Sequence, residues 1–328
     1  MRPEPQKYEM IRRAFSEMHP ILQVVFFFSL LLTGMAVAMG VGLAALAAVT
    51  GNGLEATLNA ASQPGNDWGK TVNIVLNSAN QIIAFALAPL LFHWLFGGRL
   101  LTAFAPAGPS ARPAIGWLLV AGVGALAMAP VLDLTYRLNR MLVEATPLGP
   151  LVAHYESAAE VITKALLTMP DTGSFIGTLI TIALLPAVCE EIAFRGVLMP
   201  RLARYTGNVH VAVWVSAALF SAIHMQFFGF IPRMLIGAGL GYLTIHSGRL
   251  WPAIAAHFVN NGATVIAAFV FGEEWLEAGM DPMTPWEQDD FVLAAGSAVV
   301  FALIWAWWRR RPRTFPAAGE AYCEAVSR

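Results

Sequence analysis

Charge is the first thing this sequence lacks. Only 12% of its 328 residues are Asp, Glu, Lys or Arg, about half the roughly 25% of an ordinary soluble domain. Hydrophobic residues make up 57% and the mean hydropathy is +0.60, which excludes a water-soluble globular protein. A basic surplus is missing too. Twenty Lys and Arg stand against 21 Asp and Glu, a net charge of −1, which argues against a nucleic-acid binder. Cysteine is nearly absent. Cys189 and Cys323 lie far apart and make neither a disulfide framework nor a zinc ribbon. The chain also has no domain linker, no low-complexity tract and no inverted repeat of the transporter kind.

What is present is apolar sequence in long runs. Eight of them read as membrane spans: Ile21–Val49, Thr71–Gly97, Ala114–Leu132, Ser174–Arg204, Val209–Ile231, Met234–Ile245, Leu250–Phe271 and Phe291–Trp308. Seven are long enough to cross a hydrocarbon core of about 30 Å; the sixth has only 12 residues. The first is not a cleaved signal, because a polar arm with Arg12 and Arg13 precedes a run too long for one. With both termini cytoplasmic, 15 of the 20 basic residues fall on the inside. The five outside are Lys70, Arg137, Arg140, Lys164 and Arg233. Positive charge stays cytoplasmic during insertion, so this division supports the alternation. The expected architecture is therefore all-α and polytopic. Residues 1–20 form a cytoplasmic arm, 21–308 a single transmembrane bundle and 309–328 a basic cytoplasmic tail. The stretch Asp133–Gly173 is expected to form one or two helices on the outer face, and Glu273–Asp290 an acidic outer loop. Seventeen Arg against three Lys, in an Ala-rich chain, suggest a GC-rich bacterial genome and an inner-membrane location.

Ionisable residues inside spans are costly and ask for a partner or a function. Span four carries Glu190, Glu191 and Arg195; span five Phe220 and His224; span seven His257, Asn260 and Asn261. Residues four apart share a helix face, so Glu191 and Arg195 are expected to pair. Glu190 points about 100° away and is left for another partner. Phe220 is placed to wall the ring of His224, and Pro186 to disturb the helix one turn before Glu190. At 1.5 Å per residue, Glu190, His224, His257 and Asn261 lie roughly 12–21 Å from the cytoplasmic surface, close enough in depth to meet. A polar stripe of Asn73, Asn77, Asn80 and Gln81 faces the bundle interior and lines an aqueous cavity. Gly237 and Gly241 form a small-residue pair for close helix packing.

One glutamate, two histidines and an asparagine in a dry cavity fit two chemistries. A carboxylate beside a histidine can activate water while an imidazole and an amide hold an oxyanion. Alternatively, Glu190, His224 and His257 form a catalytic zinc set with an open position. The cofactor is accordingly either none or one divalent metal such as zinc. A polar cluster that only pins helices, or a proton relay through Glu190 and His224, is the alternative to an enzyme.

The three patterns Glu-Glu-x-x-x-Arg (Glu190, Glu191, Arg195), Phe-x-x-x-His (Phe220, His224) and His-x-x-x-Asn (His257, Asn261) resemble the signatures of the CAAX-protease and bacteriocin-processing (CPBP or Abi) family of intramembrane peptidases. The resemblance covers about residues 174–265 and resembles most the type II CAAX prenyl endopeptidases. It implies an eight-helix bundle in which Glu190 and His224 activate water while His257 and Asn261 hold the oxyanion. Glu191, Arg195 and Phe220 are implied as supporting residues. The implied partners are a membrane-associated peptide or protein substrate, lipidated or bacteriocin-like, and the bilayer itself. The family is usually named a metalloprotease group, yet its eukaryotic prenyl-protein members resemble metal-free glutamate enzymes. Other intramembrane plans are missing: there is no His-Glu-x-x-His, no Gly-x-Gly-Asp and no Gly-x-Ser-Gly. Cys189 reads as a small, inert interior residue.

The sidedness is open to direct test. In a background without the two native cysteines, cysteines introduced at Asp281 and Thr314 are expected to label from opposite sides of the membrane. Labelling of both from one side would refute the eight-span topology.

Overall fold

Backbone amides have no water to bond inside a bilayer, so a chain this apolar satisfies them within helices. The structure is a computed structural model that describes residues 15, 17–98, 104, 116–280 and 287–309. The described residues form helices and no strand. These are α1 Pro20–Thr50, α2 Leu54–Ala61, α3 Asp67–Leu95, α4 Gly116–Glu144, α5 Gly149–Leu167, α6 Thr172–Thr206, α7 Val209–Ala222, α8 Phe230–Ser247, α9 Trp251–Met280 and α10 Gln288–Arg309. Single π turns interrupt α3 at Gln81–Leu87 and α6 at Leu179–Leu184 and Ile192–Leu198. Most of the N-terminal arm, the basic tail, and the test positions Asp281 and Thr314 lie outside the described residues.

Local chemistry sets the helix ends. Asn66 caps α3 through the Gly69 amide, Asn208 caps α7, and Asp171 with Ser174 forms a capping box at the start of α6. α6 and α8 stop at Gly207 and Gly248, whose φ of 61° and 67° suits residues without a Cβ. Among the described residues, five helices are long and apolar enough to cross a membrane: α1, α3, α4, α6 and the Trp251–Gly272 part of α9. Large apolar side chains such as Leu32, Val49, Val270 and Leu303 face outward. The protein is an all-α integral membrane protein.

The fifth expected span, Val209–Ile231, departs from expectation. α7 ends at Ala222, about 21 Å long and short of a full crossing. The chain then turns at Met225, which has a φ of 54°, and α8 begins at Phe230, four residues before the expected start of span six. Other helices satisfy the backbone of this loop. Asn139 of α4 donates to the carbonyls of Phe227 and Phe228 at 2.6 and 2.7 Å. Glu156 of α5 accepts the Phe228 amide at 2.8 Å. Asp133–Gly173 is helical as expected, but its first part continues span three without a break, as α4.

α6 runs through the interior and packs against α3, α7, α8 and α9. Its Arg195 is 1% exposed and Glu191 0%, and their side chains meet at 2.6 Å. The guanidinium also donates to the Gly237 carbonyl of α8 at 2.9 Å and lies 4.5 Å from the centre of the Phe220 ring of α7. Gly237 permits this approach: a Cβ there would stand 3.2 Å from the guanidinium, from Phe220 and from Ala217.

Breaking a buried ion pair on one side costs about 3–5 kcal/mol, whereas neutral isosteres of both partners are tolerated far better. Arg195→Met is therefore expected to lower the apparent melting temperature of the detergent-solubilised protein sharply. The double variant Glu191→Gln/Arg195→Met should recover part of that loss. Equal losses in the single and double variants would refute a stabilising pair.

Candidate functional site

Pro186 decides the shape of the wall around Glu190. Having no N–H, it cannot donate to the carbonyls four and five residues back, Ile182 and Thr181. Two asparagine side chains supply donors instead. Asn261 of α9 donates to the Ile182 carbonyl at 3.2 Å, and Asn77 of α3 to the Thr181 carbonyl at 3.3 Å. The helix therefore continues through a π turn rather than breaking, and Glu190 emerges one turn later into a cavity.

Glu190 is buried and its two oxygens have different neighbours. Oε1 accepts a hydrogen bond from Gln81 Nε2 of α3 at 2.9 Å. Oε2 stands 3.9 Å from His224 Nε2 and 3.9 Å from His257 Nε2. Each imidazole is held from behind at its other nitrogen. His224 Nδ1 meets the Phe220 carbonyl at 2.7 Å and His257 Nδ1 meets Glu191 Oε1 at 2.9 Å. A carbonyl only accepts, so His224 carries hydrogen on Nδ1. The Glu191 carboxylate, already paired with Arg195, sets the same tautomer in His257.

The end of α7 explains the pose of His224. In a continuing helix its backbone amide would bond the Phe220 carbonyl. Here that amide turns to Ser221 at 3.3 Å, and the imidazole of the same residue takes the vacated carbonyl. Phe220 packs edge-on against both rings, with centroids at 5.0 Å from His224 and 6.1 Å from His257. The Arg195 guanidinium lies over the same ring, 4.5 Å from its centre.

The residues singled out by the sequence are thus brought together. Glu190, His224, His257 and Asn261 line one cavity of about 1170 Å³. Glu191 and Arg195 lie behind it as an ion pair, and Phe220 forms part of its wall. Asn73, Asn77, Asn80 and Gln81 also line it. His224 sits beyond a helix end rather than inside a span. Asn261 turns its amide nitrogen to Ile182 and accepts from Asn260 at 3.1 Å, leaving one of its two N–H groups unused by these contacts. Sequence reasoning placed Gln81 on the lining stripe but gave it no role in the reactive set. The signal lay in its being the glutamine of that stripe, one methylene longer than the three asparagines beside it. Its Oε1 is buried without a partner.

The donor set is spread wider than a tetrahedral zinc requires. Ligands 2.0–2.1 Å from a tetrahedral zinc are separated by about 3.3 Å, narrower than the 3.9 Å between Glu190 Oε2 and each Nε2. Among the described residues no group of three His, Cys, Asp or Glu side chains is arranged to hold a metal ion. The tethering of both histidines at Nδ1 is nevertheless what metal-ligating imidazoles also use.

Neither a curated protein nor a solved structure matches the chain. Residues 172–263 match the family described as Type II CAAX prenyl endopeptidase Rce1-like. They run from the start of α6 into α9 and include Glu190, Glu191, Arg195, Phe220, His224, His257 and Asn261. Over residues 172–263, therefore, the chain is similar to the type II CAAX prenyl endopeptidases.

Proposed function

We propose that the protein is an intramembrane endopeptidase in which Glu190 activates water directly, without a metal ligand set. The observation that carries this reading is the meeting of three acceptor atoms: Glu190 Oε2 and, 3.9 Å from it, Nε2 of both histidines. With both Nδ1 atoms hydrogenated, these atoms face each other with no hydrogen between them unless one is supplied. An added proton on His257 Nε2 is stabilised by Glu191 behind Nδ1, 2.9 Å away. A water molecule supplies the rest, with one hydrogen toward His224 Nε2 and the other toward Glu190 Oε2. Its lone pair is then free for a peptide carbonyl.

The reaction balances on these groups. Glu190 takes the water proton as the oxygen attacks the carbonyl carbon. His257 Nε2–H and the unused N–H of Asn261 donate to the oxyanion that forms. Collapse breaks the C–N bond, and Glu190 returns its proton to the leaving amine. Gln81 holds the other carboxylate oxygen, so that Oε2 faces the water. A cavity of about 1170 Å³ exceeds the roughly 300–1,000 Å³ of small-ligand pockets, in keeping with an extended peptide. The substrate class is a membrane-associated peptide or protein tail, lipidated or bacteriocin-like, cut at a bacterial plasma membrane.

The purified protein is expected to cleave fluorogenic lipidated peptides and to lose that activity in Glu190→Ala with folding intact. Unchanged cleavage in that variant would refute the reading, and ion or solute flux in liposomes without peptide would favour a relay. Metal-stripped protein should retain activity; if stripping abolishes it and zinc alone restores it, His224 and His257 are ligands.

Removing Gln81 leaves a buried carboxylate oxygen unpaired, worth about 1–3 kcal/mol. Gln81→Leu is therefore expected to reduce kcat by roughly ten- to a hundredfold while KM changes little. Asn261→Ala should likewise lower kcat more than substrate affinity. An effect confined to KM in either variant would remove that residue from the transition state.

A further inference from the structure

Arg233 is a charge that this chemistry leaves unused. It stands in the first turn of α8, where the helix dipole disfavours a cation. Although counted among the outer loop charges by sequence, it lines the same cavity as Glu190 and His224. Its guanidinium donates to the Gln226 backbone carbonyl at 3.2 Å and to the Gln226 side-chain oxygen at 2.8 Å. Both acceptors are neutral. Of five N–H donors these contacts use two. The charges of Glu190 and Glu156 act on it, but each is engaged elsewhere, Glu190 by Gln81 and Glu156 by the Phe228 amide. Asp133, also on the cavity wall, is paired with Arg137 at 3.0 Å.

The guanidinium lies close against the loop backbone on the cavity wall. Gly229 lies beneath it, and a Cβ at that position would stand 3.0 Å from the terminal nitrogen. Gln226 ties the fork to the loop only two residues beyond His224, which at about 3.3–3.6 Å per residue places it within a few extended residues of a bond held at Glu190. A planar fork of N–H donors matches a carboxylate. In a peptide of otherwise variable sequence, the one carboxylate always present is the C-terminal one.

We propose that Arg233 is the subsite for the free α-carboxylate of the peptide, so that the enzyme reads the chain end itself; this rests on the endopeptidase reading. The test uses one fluorophore-labelled apolar peptide made as the acid and as the C-terminal amide. Cleavage is measured with the full-length protein, and binding by anisotropy with its Glu190→Gln variant, which holds peptide without turnover. The acid is expected to be favoured by roughly ten- to a hundredfold in both readouts, as for hydrogen bonds to a charged group. Arg233→Gln should bring the two peptides together, chiefly by raising KM for the acid. Arg233→Lys, which keeps the charge and loses the fork, should retain part of the preference. Equal use of acid and amide by the wild type would overturn the proposal, as would a preference that survives Arg233→Gln. An equal fall on both peptides would make Arg233 a structural support and overturn it too. Acid-selective binding without cleavage of either peptide would sink the endopeptidase reading and leave the carboxylate subsite standing.

Discussion

Everything near the candidate site depends on how a full positive charge is kept inside the bundle. Arg195 has no water to turn to, so its surroundings must supply a counter-charge and acceptors. Glu191 supplies the first, Gly237 gives a carbonyl, and Phe220 gives the face of its ring. Each partner belongs to a different turn or helix, so satisfying the arginine fixes α6, α7 and α8 relative to one another. The same carboxylate oxygen of Glu191 then takes His257 from α9. One buried ion pair thereby registers four helices and sets the tautomer of a histidine on the cavity wall.

Proline plays a comparable part on the other side of the cavity. Pro186 removes a donor from α6, and the two carbonyls it cannot serve are taken by Asn77 and Asn261. A local defect becomes a pair of bonds between helices. Such bonds matter in a bilayer, where lipid is as apolar as the helix surfaces and burial of apolar area adds little to association. The polar stripe of α3, Pro186 and the asparagine of α9 are in this sense one device.

The sequence made the helical membrane plan and the residues that meet in the cavity legible because both are written along single helices. Glu191 with Arg195, and Phe220 with His224, follow from four-residue spacing alone. Contacts between helices were less legible. Spacing along α3 placed Gln81 on the inner face, yet nothing in it said that the neighbour was Glu190. The end of α7 was hidden for a related reason. No Pro or Gly lies between Val209 and Phe228, and the turn at Met225 is stabilised by Asn139 and Glu156, two residues distant in sequence. By sequence Arg233 is one more outer-loop charge, whereas its surroundings are set by Gln226 and Gly229. Pro232 and Gly229 did mark the start of a new helix, but they lay inside an apolar run long enough to hide it.

The pinning of the His224 loop has a consequence for how the molecule is made. Gln81, Asn139 and Glu156 all precede residue 172, so the matched domain holds every motif side chain and none of these three supports. A fragment limited to it would leave His224 on a loop with unsatisfied amides and carbonyls in an apolar medium. Synthesis runs in the favourable order, since domains and segments form from the N-terminus first. α3, α4 and α5 are laid down before the loop is translated, and the loop meets its partners as it arrives. The front half of the chain thus acts as an assembly jig for the half that holds the motifs.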